Sequence, residues 1–360
     1  MATTQSKPLR DPPATARGHL TMTSVVQDRY GPAPEELLRV EGIDRPTIAD
    51  DDVLVRVHAA SVDRGTWHIM AGLPYPIRLA GFGVRRPKYT NPGRSLAGTV
   101  EAVGAAVTGF ARGEPVFGVG DATFAEYARA RPDKLAAKPA NLTFDQAAAV
   151  PVSGLTALQA VRDHGRIQAG HQVLVIGASG GVGSFAVQIA KAFGAEVTGV
   201  CSTAKVDSVR ALGADHVIDY TREDATDGRH RYDVVLDTGG NGRLSQLRRA
   251  LTPTGRLVIV GGETDGRWLG GSDRQIRATL MSAFIGQKLG TFVASENAAD
   301  LSALRELIEA GTVTAAVDRI YPLTGVAAAI RRLLDGQARG KLVVSVAPTA
   351  TPTPDAGSTA

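Results

Sequence analysis

Cysteine is almost absent from the sequence. Cys201 is the only one in 360 residues, which excludes an intramolecular disulfide framework and any zinc site built from several cysteines. Long apolar runs are missing too, and no stretch approaches the ~18 consecutive apolar residues that a membrane span needs. The first 21 residues, MATTQSKPLRDPPATARGHLT, lack the apolar centre of a secretory signal. Asp11 and Pro12-Pro13 argue against the amphipathic helix of a transit peptide. Residues 1–21 are therefore expected to be a flexible tail, as are the Pro/Thr/Ala-rich residues 347–360. A large excess of one charge is also lacking. Forty Lys and Arg stand against 36 Asp and Glu, a formal net charge of +4, and the basic residues are scattered, so nucleic acid is a poor partner. These absences lead to the expectation of a cytoplasmic protein without a membrane partner. At this length the chain has room for two domains.

From Ala169 onward, short β-branched runs alternate with helical segments, the pattern of a parallel sheet covered by helices. Gln172–Ile176 reads as a buried strand, Ser184–Phe193 as a helix stopped by Gly194, and Glu196–Cys201 as the next strand. A helix over Ala204–Leu212, a short strand ending at Tyr220, strand Tyr232–Leu236, a helix around Leu244–Leu251 and strand Arg256–Val260 continue the series. Before Val150 the patterning is all-β, with strands expected at Val53–His58, Ala97–Val107, Glu114–Val119 and Phe124–Ala128. After about Ser295 come two helices and a final strand, Lys341–Val346. The expected organisation is α/β: residues 150–294 form a nucleotide-binding domain set into a β-rich domain of 22–149 completed by 295–346.

A strand that feeds a glycine-rich turn opening a helix suits a pyrophosphate. In Ser179-Gly180-Gly181-Val182-Gly183 the glycines let the backbone approach closely, and the helix N-terminus presents unpaired N–H groups. Ala178 stands at the first glycine position of the usual pattern. At the end of the second strand, an acidic residue would grip the ribose of NAD. This chain has Cys201-Ser202-Thr203 there, with Lys205 beyond. Ser202 and Thr203 can donate to a 2′-phosphate and Lys205 can neutralise it, which favours NADP(H); a lysine that merely faces solvent is the alternative. Tyr220 could flank the same phosphate.

The runs Val152–Leu158, Val175–Gly183 and Leu212–Tyr220 resemble the medium-chain dehydrogenase/reductase superfamily, and most of all its zinc-independent quinone oxidoreductase (zeta-crystallin-like) and enoyl reductase branch. Ala59–Asp63, Gly93–Gly98, Val100–Gly104, Thr123–Tyr127 and Gly340-Lys341 extend the resemblance to about Met22–Val346. It implies a GroES-like β-rich catalytic domain, a Rossmann domain, an active site between them and a homodimer. At the positions matching the zinc ligands of the alcohol dehydrogenases stand Asp63, Arg94-Ser95 and Val152. One carboxylate cannot replace a three-ligand site, so no metal is expected. His58 and His68 are weaker ligand candidates, read instead as strand-surface or cleft residues.

Without zinc, hydrogen-bond donors must stabilise the developing oxyanion, which suits quinones and α,β-unsaturated carbonyl compounds. The resemblance makes Tyr75 the first candidate for donor or proton source, with packing on a Pro-rich turn as the alternative. Asp63 stands where many relatives carry Asn; unlike Asn, an ionised Asp only accepts hydrogen bonds. It could bond the nicotinamide or ribose, act as an acid, or simply shape a turn. Trp67, His68 and Tyr89 are expected in the substrate cleft. Thr156, Thr238, Gly261, Gly262 and Lys341 resemble cofactor-contacting positions. Arg78, Arg85, Arg86 and Lys88 would place positive charge at the cleft mouth or keep a loop solvated. An enoyl-thioester reductase and a non-catalytic NADPH-binding protein remain as alternatives.

Overall fold

The computed structural model describes residues 20–240, 242–261, 268, 270 and 272–346. In chain order, the first half contains β1 (Thr21–Val26), α1 (Pro34–Leu37), β2 (Arg39–Asp44), β3 (Val53–Val62), α2 (Arg64–Ala71), β4 (Ser95–Val103), β5 (Pro115–Val119), β6 (Tyr127–Ala130), β7 (Leu135–Ala137), α3 (Phe144–Ala148) and α4 (Pro151–Gln159). Then follow β8 (Gln172–Ile176), α5 (Gly181–Ala192), β9 (Glu196–Cys201), α6 (Val206–Ala211), β10 (His216–Asp219), β11 (Tyr232–Asp237), α7 (Leu244–Arg249), β12 (Leu251–Ile259), α8 (Ser272–Ser282) and β13 (Lys288–Thr291). The chain ends with α9 (Ala298–Glu309), β14 (Val317–Pro322), α10 (Val326–Leu334) and β15 (Lys341–Ser345).

Two large sheets result. One runs β14-β15-β3-β4-β5-β7, with β6 also on β3; the other runs β10-β9-β8-β11-β12-β13 and is parallel throughout. The β-branched strands of the parallel sheet are buried on both faces, as helices on either side require. One buried cluster spans both sheets: Ala59, Phe117 and Val343 belong to the same core as Val173, Phe185, Ile189 and Leu304.

Local chemistry sets the element ends near the cleft. Asp63 caps α2, its carboxylate accepting from Thr66 N at 3.0 Å, and Gly72, at φ +62°, closes that helix. Gly194 takes φ +79° after α5. Three expectations shift. The helix expected over 204–212 begins as a 3-10 turn, Thr203–Lys205, before α6. The strand expected at 124–128 forms later, as β6, where its partners on β3 lie. The end of the helix expected at 244–251 is given up to β12, because Leu251 pairs with Tyr232.

Candidate active site

The nucleotide crevice follows from strand order. The chain leaves β8 toward β9 on one side and returns through β11 on the other, so a gap opens beyond the carboxyl ends of β8 and β11. Gly177, just past β8, has φ +81°, a conformation that disfavours a side chain. A Cβ there would stand 2.8 Å from Thr238 Oγ1. Thr238, just past β11, donates its hydroxyl to Ile176 O at 2.7 Å and its N–H to the same oxygen at 3.0 Å, fixing the two strand ends together. Gly180 is the extended N-cap of α5, and Gly183 lies so close to the turn that a Cβ would meet Gly177 O at 2.1 Å. The first turn of a 12-residue helix thus opens at a turn with no side chain at Gly177, Gly180, Gly181 or Gly183, which fits a pyrophosphate.

Opposite this turn lies a buried charge. The antiparallel register of β15 on β3, with Leu342 across from Val62, brings Lys341 to the level of Asp63. Lys341 is 1% exposed, and its ammonium donates to Val62 O at 3.0 Å and to Ser153 Oγ at 3.1 Å. Burial pushes its pKa down, and the charge of Asp63 opposes that. A Cβ on Gly181 would sit 3.0 Å from Lys341 Cδ and 3.2 Å from Ser153 Oγ, so the lysine stem packs against the glycine turn. Gly340 N also donates to Ser179 O at 2.8 Å. Asp63 uses Oδ1 to cap α2, but Oδ2 is buried with no hydrogen-bond partner among the described residues. A buried acceptor left this way calls for a donor from a bound molecule, and a nicotinamide nucleotide carries both hydroxyl and amide donors. The residues therefore fit such a cofactor.

At the far end of the crevice the structure adds a group that strand order alone does not reveal. Thr203 donates its hydroxyl to Asp219 Oδ2 at 2.6 Å and lies 2.9 Å from Thr221 Oγ1. Hydrogen bonds from Thr203 and Thr221 hold the Asp219 carboxyl below the usual range. A carboxylate thus stands beside Thr203 in space, supplied by β10 and engaged by local donors. Lys205 reaches the carbonyls of Gly336 and Ala338, both at 2.8 Å. Burial lowers its pKa, with the charge of Arg339 adding to the effect. Ser202 precedes the 3-10 turn as its N-cap, and Tyr220, one residue past β10, is 62% exposed.

Of the side chains singled out for the substrate, Trp67 and His68 meet edge-to-face at 5.0 Å, while Tyr75 and Tyr89 have other ring partners. Tyr75 meets Trp268 edge-to-face at 5.2 Å, and a Cβ on Gly270 would touch Pro74 at 3.0 Å, so the 74–75 turn leans on the segment that follows β12. Arg78 lies between rings, with its guanidinium 4.5 Å from the Tyr30 centroid and 4.8 Å from that of Tyr75. Arg85, Arg86 and Lys88 are exposed. Trp67 packs on the satellite core with Leu37 and Val326 and directs its indole N–H toward Pro32 O. His68 Nδ1 lies 2.8 Å from Leu73 O. Tyr89 meets Phe82 edge-to-face at 5.9 Å. His58 stacks on Phe144. Thr156 donates back to Val152 O within α4. Gly261 accepts from Arg274 through its carbonyl, and Gly262 lies outside the described residues.

Known proteins agree with this architecture. Residues 49–140 match the alcohol dehydrogenase GroES-like domain family, and residues 212–344 match a family described as zinc-binding dehydrogenase. The chain is 31% identical over 343 residues to the quinone oxidoreductase of Homo sapiens, covering 91% of this chain and 99% of that one. This chain belongs to the quinone oxidoreductase branch of the medium-chain dehydrogenase/reductase superfamily. It is an oxidoreductase with a GroES-like part and a Rossmann part. The mitochondrial NAD(P)H oxidoreductase RTN4IP1 of Mus musculus is 30% identical over 94% of this chain and 93% of its own. The solved quinone oxidoreductase of Coxiella burnetii is 28% identical and superposes with a TM-score of 0.78 over 91% of this chain and all of its own. Such relatives indicate a nicotinamide cofactor. Arg94, expected to stand in place of a zinc ligand of the alcohol dehydrogenases, is paired with Asp121 at 2.7 Å and Glu296 at 2.8 Å. Ser95 Oγ accepts from Val152 N at 3.4 Å. Among the described residues, no group of three or more His, Cys, Asp and Glu is placed to hold a metal. Among them, too, no helix is long and apolar enough to cross a membrane.

Several participants were not legible in the sequence. Ser153 and Trp268 sit in unremarkable contexts and acquire their roles from distant partners. The pair Asp237–Arg274, at 2.9 Å, closes the ends of β11 and β12: Arg274 also donates to Gly242 O and Gly261 O. Burial raises the Asp237 carboxyl against the opposing charge of Arg274. The one available signal was an Asp at a strand's carboxyl end beside a predicted crevice.

Proposed function

We propose that the protein reduces quinones or α,β-unsaturated carbonyl compounds with NADPH. The observation that carries this reading is the crevice wall in which Lys341 is buried against Ser153 beside the unpartnered Asp63 Oδ2, facing the glycine turn. NADPH bound there would supply a hydride, two electrons with one proton, to an electrophilic carbon of the acceptor. The glycine turn would hold the pyrophosphate, and Asp63 Oδ2 would accept from a donor of the nicotinamide half. The Tyr75 turn and Trp268 would close over the acceptor, limiting water. Tyr75 is the group we assign to donate a hydrogen bond to the developing oxyanion and pass it a proton. Support for NADPH over NADH comes from the end of β9, which carries Ser202 and Thr203 rather than an acidic residue, and from the cations Lys205 and Arg339 beside it.

The same proposal includes a small-molecule acceptor, a cytoplasmic location, a unit of 22–149 with 295–346 beside one of 150–294, and a homodimer. For the dimer, Ile276, Leu280 and Phe284 recur at helical spacing and are 55%, 64% and 87% exposed. They lie beside β13, whose outer edge pairs with no other strand among the described residues. A second copy would cover both the apolar stripe and the strand edge. Sedimentation of the purified protein checks this, and a monomer at micromolar concentration would exclude it.

The deciding experiment follows NADPH oxidation across a panel of quinones and alkenals, with NADH in parallel. Turnover on at least one acceptor class is expected. NADPH binding with no turnover on any of them would remove the reductase reading in favour of a binding protein.

A further inference from the structure

The end of the crevice assigned to the 2′-phosphate has fewer available donors than its sequence suggests. The Thr203 hydroxyl is directed to Asp219, and the Lys205 ammonium is shared between the carbonyls of Gly336 and Ala338. Of the neighbouring arginines, Arg332 is paired with Asp318 at 3.0 Å and Arg222 lies 3.6 Å from Asp219. A phosphate monoester in this place would meet one carboxylate and mostly committed cations.

The loop from Gly336 to Gly340 changes that balance. It leaves α10, approaches the end of β9, and enters β15 beside the glycine turn. It is fastened at both ends to the crevice: Ala338 O accepts from Lys205 Nζ at 2.8 Å, and Gly340 N donates to Ser179 O at 2.8 Å. Arg339 is the residue between these two anchors. It is exposed, while Ala338 and Gly340 on either side are buried. Its guanidinium makes no hydrogen bond or ion pair with other described residues, yet it lies close enough to Lys205 to disfavour that residue's charge. A fixed backbone carrying an uncommitted guanidinium, placed between the pyrophosphate turn and the end of β9, is well suited to grip a phosphate with two parallel N–H groups.

We infer that Arg339, delivered from the β-rich part of the chain, is a specificity-determining residue that binds the 2′-phosphate of NADPH. Lys205 then acts as a positioning residue: by holding the carbonyls of Gly336 and Ala338 it sets the loop that presents Arg339, besides lending charge to the site. The assignment rests on the proposed preference for NADPH and explains how that preference survives the nearby Asp219. It also ties the β14–α10–β15 segment to cofactor choice, although that segment lies outside the parallel sheet.

The test measures dissociation constants by calorimetry for NADPH, NADH, adenosine 2′,5′-bisphosphate and 5′-AMP, with the wild type, Arg339→Gln and Arg339→Lys. Loss of a charged hydrogen bond is worth about tenfold or more. Arg339→Gln should therefore weaken NADPH and the 2′,5′-bisphosphate by that factor and leave NADH and 5′-AMP within about twofold; Arg339→Lys should recover part of the loss. Equal weakening of phosphorylated and unphosphorylated ligands would overturn the assignment, because the arginine would then serve the pyrophosphate or the fold. No change in any ligand would overturn it too. A wild type that binds NADH as tightly as NADPH would defeat the cofactor reading itself. A preference for NADPH that persists undiminished in Arg339→Gln would defeat the Arg339 assignment alone.

Discussion

The two walls of the crevice are built in different ways. One is a single stretch, residues 177–183, whose chemistry is backbone: N–H groups at a helix start and glycines that keep side chains out. The other is collected from Val62-Asp63, Ser153 and Gly340-Lys341, segments brought together by the register of β15 on β3 and by α4. The first wall tolerates almost no added atom, since its function is close approach. The second depends on one buried ammonium that satisfies two acceptors and sits near a third. A backbone wall should therefore fail through sterics, and a side-chain wall through lost partners.

The largest effect should follow Gly183→Val. Its Cβ would stand 2.1 Å from Gly177 O and 2.8 Å from Ala178 Cα. Displacement of the turn should cost about 100-fold or more in NADPH affinity, ~3 kcal/mol, read by titration of intrinsic fluorescence. Affinity within a few-fold of the wild type would break the contrast between the walls.

A smaller effect is expected from Lys341→Met, which keeps the volume of the stem but leaves Val62 O and Ser153 Oγ without their donor. Unsatisfied buried groups of this kind cost about 2 kcal/mol of stability, measurable as a shift of the urea midpoint. An unchanged midpoint would show that the ammonium serves the cofactor alone.

The smallest effect tests the side-chain clasp where the chain returns from the parallel sheet. Arg162 pairs with Asp300 at 2.7 Å, and Gln159 reaches Asp300 and Ser295. Burial alone would raise the Asp300 carboxyl; hydrogen bonds from Arg162, Asn297 and Gln159 outweigh it and leave the group below the usual carboxylate range. The unfolded chain then binds the proton more readily than the folded one. The clasp's contribution is therefore full above the ordinary carboxylate value and fades as pH falls through the lower folded value. Asp300→Asn should flatten this acid limb of thermal stability by about 1 kcal/mol, modest because Arg162 is partly exposed. An unaltered limb would place the acid sensitivity elsewhere.

Much of the fold was legible because its signals are local. The alternation of β-branched runs and helices located β8 and β9 to the residue, and Gly194 marked a real helix stop at positive φ. α4 escaped because Pro151–Gln159 is buried on most sides and shows little polar periodicity. In the candidate site, the place of Gly180, Gly181 and Gly183 at a strand-to-helix turn was readable for the same local reason. Trp67, expected in the cleft, also packs in part on the satellite core, a contact not legible because periodicity cannot say which of two cores a helix face will meet.

Sequence alone determined the chemistry available: one cysteine, a glycine turn between a strand and a helix, Asp63 just past β3, and no acidic residue at the end of β9. Only the tertiary structure decided which charges meet. Lys341 faces Ser153 and Asp63, Asp219 occupies the Thr203 hydroxyl, and Arg339 is carried to the glycine turn by a loop anchored at both ends. The reason is physical. Backbone geometry is fixed by neighbours in the chain, whereas the partner of a charged side chain is fixed by strand register and helix packing between segments that are separate in the chain, from 16 positions for Thr203 and Asp219 to 188 for Ser153 and Lys341.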